Sequence, residues 1–276
     1  MRHIILHGHI FKNAGTTFDW SLAKNFGAGF LDHRDDEKML ASGCEHLAQL
    51  VQDDPALKAI SSHHMTRMFP EIPGIVFLPI YLLRHPLARM RSVYDFERGQ
   101  QAETPGAVAA RNKSFSDYIS WRMQDDVRPV IRNYQTRYLA GRHGICPERE
   151  VYDSQFARAV QWLGSAAGVG IVECYDESMV VLEQALQAPF PGIDLSYVAQ
   201  NQSADRAANA SLDSVVSEIL NELADSQRQV IDENSLDLAL YRLACSQLQS
   251  RIERIEDFPA KLAAFRSRCQ LAAQTR

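Results

Sequence analysis

The stretch "HIILHGHIFKNAGTTFDWSL", His3 to Leu22, carries Lys12, Gly15, Thr16 and Thr17 between an apolar strand-like run and a segment of helical character. A loop in that position aims consecutive N–H groups and the positive end of a helix dipole at one spot, which favours an anion. A glycine there permits tight backbone geometry. "KNAGTT" is not a Walker A motif, because the lysine precedes the glycine by three residues and no Gly-Lys-Ser/Thr follows. A plain strand-to-helix turn with a solvated lysine and a threonine cap would have the same composition, so the loop alone leaves both readings open.

A second segment, "IYLLRHPLARMRSVYDF", puts Arg84 at the end of a strand, Pro86 at a first helical position and Ser92 about two turns into the helix. Both Arg84 and Ser92 are then candidates for the carboxyl edge of the sheet, where open α/β sheets bind their ligands. A guanidinium fork beside a hydroxyl suits a phosphate monoester, since the fork offers fixed donors and stays charged. The competing reading is an amphipathic helix with Arg84, Arg89 and Arg91 on a solvated basic face.

The elements that must position these residues follow an α/β pattern. Strands are expected at His3 to Ile10, Leu57 to Ser61, Ile75 to Leu83 and Val169 to Glu173, each short and rich in Ile, Val or Leu. Helical segments at Thr17 to Asn25, Asp36 to Val51, Pro86 to Gly99 and Phe115 to Gln124 supply the crossovers that parallel strands require. From Ser211 onward the pattern is nearly all helical, with Pro259 breaking the last helix or beginning a new one, and "QQAETPGAVAAR" (Gln100 to Arg111) reads as a mobile surface loop. The expectation is a P-loop-like three-layer fold in a single domain, 1–276. Within it, 1–175 carries the sheet and nucleotide site, and 205–276 is a mostly helical extension.

A net charge of -5 gives no global attraction to nucleic acid or anionic membrane. Five widely spaced cysteines, Cys44, Cys146, Cys174, Cys245 and Cys269, fit reduced thiols better than a disulfide framework or a zinc site. No window approaches the roughly 20 apolar residues that span a bilayer, and the N-terminus lacks a signal-peptide pattern. The expected setting is cytoplasmic, without nucleic-acid partner or membrane span.

The two motifs together resemble the 3′-phosphoadenosine 5′-phosphosulfate (PAPS) dependent sulfotransferases. "FKNAGTT" is similar to the family's 5′-phosphosulfate loop, commonly Pro-Lys-Thr-Gly/Ala-Gly-Thr-Thr/Ser, and "LLRHPLARMRSVYDF" to its 3′-phosphate motif, whose Arg and Ser, eight positions apart, are here Arg84 and Ser92. "NYQTRYLAG", "VGIVECYDESM" and "LDLALY" resemble the carbohydrate-sulfating branch, of heparan sulfate 2-O-sulfotransferase type. Phe11, Asn13 and His85 depart from the usual proline, threonine and aspartate.

The resemblance implies that Lys12 donates to the leaving oxygen, while Asn13, Ala14, Gly15, Thr16 and Thr17 hold the phosphosulfate. Arg84 and Ser92 would hold the 3′-phosphate. It also implies PAPS as donor, 3′-phosphoadenosine 5′-phosphate (PAP) as product, no metal, and a glycan or glycosylated small molecule as acceptor. The base would come from "AISSHHMTRM", with His63 favoured over His64 because Ser62 takes the place of the family's glycine.

Smaller readings attach to four other places. His7 and His9 share a strand face and either line an acceptor pocket or, by preference, satisfy a buried polar network. Asn133, Gln135 and Arg137 form a polar helical face or sit near the nucleotide. Asn201 to Arg206 is a linker or a loop that closes over the adenine or serves the acceptor, and Glu173 and Glu177 serve helix ends in preference to acting as catalytic acids. Two other classes compete with the enzyme. A P-loop kinase or hydrolase would need a magnesium ligand after a second strand, where "IYLL" runs into Arg84. The other is a nonreactive nucleotide- or glycan-binding protein.

Overall fold

A computed structural model of the chain describes residues 1–141, 150–200 and 211–274. In chain order the elements are β1 (Arg2–Gly8), α1 (Gly15–Phe26), β2 (Phe30–His33), α2 (Asp36–Asp53), β3 (Ala59–Ser62) and β4 (Ile75–Leu83). There follow α3 (Pro86–Gly99), α4 (Pro105–Asn112), α5 (Phe115–Arg122), α6 (Tyr134–Leu139), α7 (Glu150–Ser165), β5 (Gly168–Ile171) and α8 (Tyr175–Leu186). The helices α9 (Leu212–Leu223), α10 (Gln227–Asp232), α11 (Ser235–Ile252) and α12 (Phe258–Gln274) complete the chain.

The sheet is all parallel, in the order β2-β3-β1-β4-β5. Alternation along β1 sends its two sets of side chains to opposite faces. Ile5 joins Ile80 and Leu82 of β4 against Phe18 and Leu22 of α1, Met179 and Leu182 of α8, and Phe265 of α12. Ile4 and Leu6 join Ile60 of β3 against Leu47 and Val51 of α2 on the other face. Helices on both faces of a parallel sheet make the expected three-layer α/β fold.

The chain divides into two compact units. The first, Met1–Leu83, Trp162–Gln200 and Ala244–Arg276, holds the whole sheet; the second, Arg84–Gln161 and Asn201–Leu243, is helical where described. The C-terminal helical stretch is thus shared, α9, α10 and the start of α11 going to the second unit and α12 to the first. Among the described residues no helix is long and apolar enough to cross a membrane.

Local chemistry accounts for where the elements fall. β4 occupies the expected Ile75–Leu83, and α3 the expected Pro86–Gly99 with proline at its first position. Pro259 stands second in α12 and so opens a helix. The expected loop at Gln100 to Arg111 is corrected by α4: Thr104 accepts from the Ala107 amide as a cap, Pro105 opens the helix, and alanines carry it. β2 had no counterpart among the expected strands.

Candidate functional site

In the first unit, β1 lies between β3 and β4, and the chain leaves its carboxyl end at Gly8 to enter α1 at Gly15. At this end the connections run towards β2 on one side while β4 lies on the other, the kind of switch point at which α/β sheets leave a crevice. Two loop residues that are not glycine adopt left-handed backbone, Lys12 at φ 65° and Ala14 at φ 58°. Each such residue costs about 1–2 kcal/mol, so the surrounding contacts must hold the loop in place. One contact is visible: Asn13 Nδ2 donates to the Leu82 carbonyl of β4 at 2.7 Å. The asparagine that departs from the usual threonine therefore ties the loop to the neighbouring strand.

Gly15 is not left-handed. Its requirement is space, because a Cβ built there would lie 2.3 Å from Cδ2 of His9. Thr16 is exposed, Lys12 half-buried and Thr17 buried. Thr17 Oγ1 accepts from the Gln200 amide at 3.2 Å, which leaves the hydroxyl hydrogen to be donated. Ala14, the cap residue of the 12-residue α1, contributes no side-chain hydrogen bond to the helix end.

His7 and His9 meet a carboxylate. His7 Nδ1 lies 2.7 Å from Asp19 Oδ1 and 3.0 Å from Ser61 Oγ, while His9 Nδ1 lies 2.8 Å from Asp19 Oδ2. All three residues are buried, and the two rings stack with centroids 5.3 Å apart. Burial alone would raise the Asp19 carboxyl, but the charge and hydrogen bonds of His7, and then of His9, outweigh it and hold the group well below the usual carboxylate range. An ionised Asp19 only accepts, so His9 carries its proton on Nδ1. Burial pushes His9 below its ordinary value, with the Asp19 hydrogen bond opposing and the charges of His7 and Arg34 adding.

The three donor atoms lie within 4.8 Å of one another, the composition of a cation site. The His–carboxylate separations of 2.7 and 2.8 Å are hydrogen-bond distances. Donors bound to a tetrahedral zinc at ~2.0–2.1 Å would stand roughly 3.3 Å apart. This arrangement is the buried polar network expected of the two histidines, and Asp19 is its unforeseen member.

His63 and His64 follow β3 and have different surroundings. His63 Nδ1 lies 3.0 Å from the His9 carbonyl oxygen, and its ring lies 4.2 Å from the His9 ring at 45°. A carbonyl only accepts, so the proton sits on His63 Nδ1 and the neutral ring keeps a lone pair on Nε2. Burial is the main cause that lowers the His63 value, with the charge of His9 next and the carbonyl hydrogen bond opposing. His64 takes another direction: its Nε2 lies 3.7 Å from Asp36 Oδ2. His63 contacts the β1–α1 segment through His9, whose ring also packs on Gly15.

In the second unit, Arg84 exchanges two hydrogen bonds with Gln135 of α6: its amide donates to Oε1 at 2.9 Å and its carbonyl accepts from Nε2 at 2.8 Å. Gln135 is itself buried, and its own amide donates to Asp237 of α11 at 3.0 Å. Asp237 also accepts from the Thr136 amide at 2.7 Å and donates its amide to Asn133 Oδ1 at 3.0 Å. "NYQTRYL" and "LDLALY" thus hold one another, and through Gln135 they fix the backbone of Arg84.

The solvated basic face considered for α3 does not form. Arg89 is buried, donates to the Val130 carbonyl at 2.9 Å and stacks over Tyr134 at 4.1 Å. Arg91 pairs with Glu222 and lies 3.6 Å over Phe115. Ser92 is buried in α3, and His85, which precedes Pro86, meets Tyr241 edge-on at 5.2 Å. Asn201 to Arg206 and Cys146 lie outside the described residues.

The fold and loop define a three-layer α/β protein whose central strand runs into a turn with two left-handed residues, Lys12 and Ala14. No protein-family model matches the sequence. The chain is 29% identical over 248 residues to an uncharacterized protein of Archaeoglobus fulgidus, an alignment that covers 87% of this chain and 95% of that protein.

Proposed function

We propose that this chain is a sulfotransferase that moves a sulfuryl group from PAPS to a hydroxyl of a carbohydrate or glycosylated small molecule. The observation that carries the reading is His9, whose ring packs on Gly15 of the left-handed loop while its carbonyl receives the Nδ1–H of His63. A lysine-bearing anion loop and a histidine with a basic Nε2 are thereby tied to one residue. The support outside this unit is the Arg84–Ser92 motif, with Arg84 held at its backbone by Gln135.

The donor suits the residues present. Left-handed Lys12 and Ala14 shape the turn, and Lys12, the Thr16 hydroxyl and the Thr17 hydroxyl hydrogen supply donors for a 5′-phosphosulfate. The Arg84 guanidinium and Ser92 hydroxyl supply donors for a 3′-phosphate, the group that distinguishes PAPS from ATP.

In the transfer the acceptor oxygen bonds to sulfur as the bond from sulfur to the bridging phosphate oxygen breaks. The electron pair stays on the phosphate of PAP, and the acceptor's hydroxyl proton passes to His63 Nε2. Lys12 stabilises the charge that grows on the leaving oxygen, a contribution largest in the transition state. The His9 carbonyl keeps His63 in the tautomer that accepts a proton.

Two measurements test the proposal. Calorimetry with PAP and ATP should give clear preference for PAP, and PAP release from PAPS should depend on an added oligosaccharide panel. Preference for ATP would support the kinase or hydrolase class. PAP binding without acceptor-dependent release would leave a binding protein.

A further inference from the structure

We propose that Asp19 is a positioning residue for the proton-accepting histidine: its two carboxylate oxygens fix the rings of His7 and His9, and the His9 ring in turn holds His63. This rests on the sulfotransferase reading of the same site and extends it to a residue without a place in either sequence motif.

A buried carboxylate is costly to desolvate, and it persists in a core only where other groups compensate it. Asp19 sits in the second turn of α1 with Phe18 and Leu22 in the apolar core beside it. Both of its oxygens are committed to β1 and the residue just past it, Oδ1 to His7 and Oδ2 to His9. The commitment to His9 has a directional result, because it leaves that ring's lone pair on Nε2.

The His9 ring is then held on three sides: by Asp19 at Nδ1, by the Cα of Gly15, and by the His63 ring at 4.2 Å. His63 receives two constraints from the same residue, a ring contact and a carbonyl acceptor. A carboxylate can satisfy His7 and His9 at once, whereas an amide of equal size has one oxygen and one NH2. Asp19→Asn therefore serves one ring and presents donors to the other, which must turn its Nδ1 into an acceptor or rotate away.

The test uses the full chain and has two independent arms. In the first, nitrogen-15 NMR of the histidines near pH 7.5 should give wild-type His9 and His63 as Nδ1–H tautomers, and Asp19→Asn should convert His9 to a mixture and shift the His63 signals, whose ring packs on it. In the second, PAP release from PAPS with an oligosaccharide panel should fall about tenfold or more in Asp19→Asn. PAP affinity and donor KM should stay within about twofold.

An Nε2–H His63 in the wild type would overturn the proposal without any variant. So would unchanged turnover in folded Asp19→Asn, or a loss of PAP affinity in step with turnover, which would make Asp19 a support of the loop alone. Absence of PAP binding by the wild type would overturn the sulfotransferase reading and the catalytic part of this one. The NMR arm would still decide whether Asp19 fixes the His9 ring and, through it, the surroundings of His63.

Discussion

Arg84 and Gln135 are joined backbone to side chain in both directions, the amide of Arg84 donating at 2.9 Å and its carbonyl accepting at 2.8 Å. Arg84→Ala should weaken PAP binding by about 2–4 kcal/mol, the range for truncating one member of a buried charge pair. Gln135→Ala should weaken it by a smaller factor, because it leaves the charge in place and removes only the groups that hold its backbone. Gln135→Glu accepts but cannot donate, and should fall between. Calorimetry on all three decides the order, and equal affinity in Arg84→Ala and the wild type would remove Arg84 from the nucleotide site.

Lys12 is expected to act on rate more than on binding. Lys12→Ala should lower turnover by roughly 100-fold or more, as loss of one transition-state donor does. The left-handed φ of 65° adds a control, since Lys12→Gly removes the same side chain without the backbone strain. Both variants should lose turnover alike, and Lys12→Gly should unfold at the higher temperature. A raised donor KM at unchanged turnover would show that Lys12 binds donor and transition state equally.

The space at Gly15 can be measured against its occupant. A methyl group there would lie 2.3 Å from the His9 ring, so Gly15→Ala should destabilise the fold by about 1–3 kcal/mol, the usual cost of overpacking. In a His9→Ala background the same change should cost little. Denaturant unfolding of the two single variants and the double variant gives the coupling directly. Additive costs would mean that the clash is relieved elsewhere.

His63 and His64 should separate by pH. The base works only when neutral, and burial lowers the His63 value, so the acid limb of turnover should fall below the ordinary histidine value of about 6.5. His63→Ala should lose the limb and most of the rate, while His64→Ala should keep both. The opposite result would transfer the role to the histidine beside Asp36.

A separate pH effect belongs to stability. Burial, with Arg242 adding and Asp213 opposing, lowers His85 from its ordinary 6.5 to about 4. The unfolded chain therefore binds this proton more readily, and stability present above about pH 6.5 should decline as pH falls towards 4. Acid titration of the unfolding midpoint should show a steeper decline for the wild type than for His85→Asn. Equal slopes would assign the effect to the other buried histidines.

The parts of the fold that were legible in sequence are those whose signal is local. β4 is one apolar run that ends at a charge, and α3 begins at a proline, so both ranges were read without error. β2 was missed because "FLDH" is four residues long with polar Asp32 and His33, too short for any periodicity. α4 was missed because Thr-Pro-Gly suggests a turn, whereas here Thr104 and Pro105 start a helix. The shared face of His7 and His9 followed from strand alternation. Asp19 did not, because its meeting with them depends on how α1 is rotated on the sheet. Gln135 was visible only as a polar residue in a helix, since its partner lies 51 positions away.

The left-handed pair in the β1–α1 loop has a consequence for the entropy of binding. A residue other than glycine that is held at positive φ has few neighbouring conformations to visit, and Asn13 between the two is tied to Leu82. The ordering of this turn is therefore completed when the chain folds. An anion that docks there loses its own freedom but need not order the turn, so affinity can come from a few short hydrogen bonds without a large closing motion.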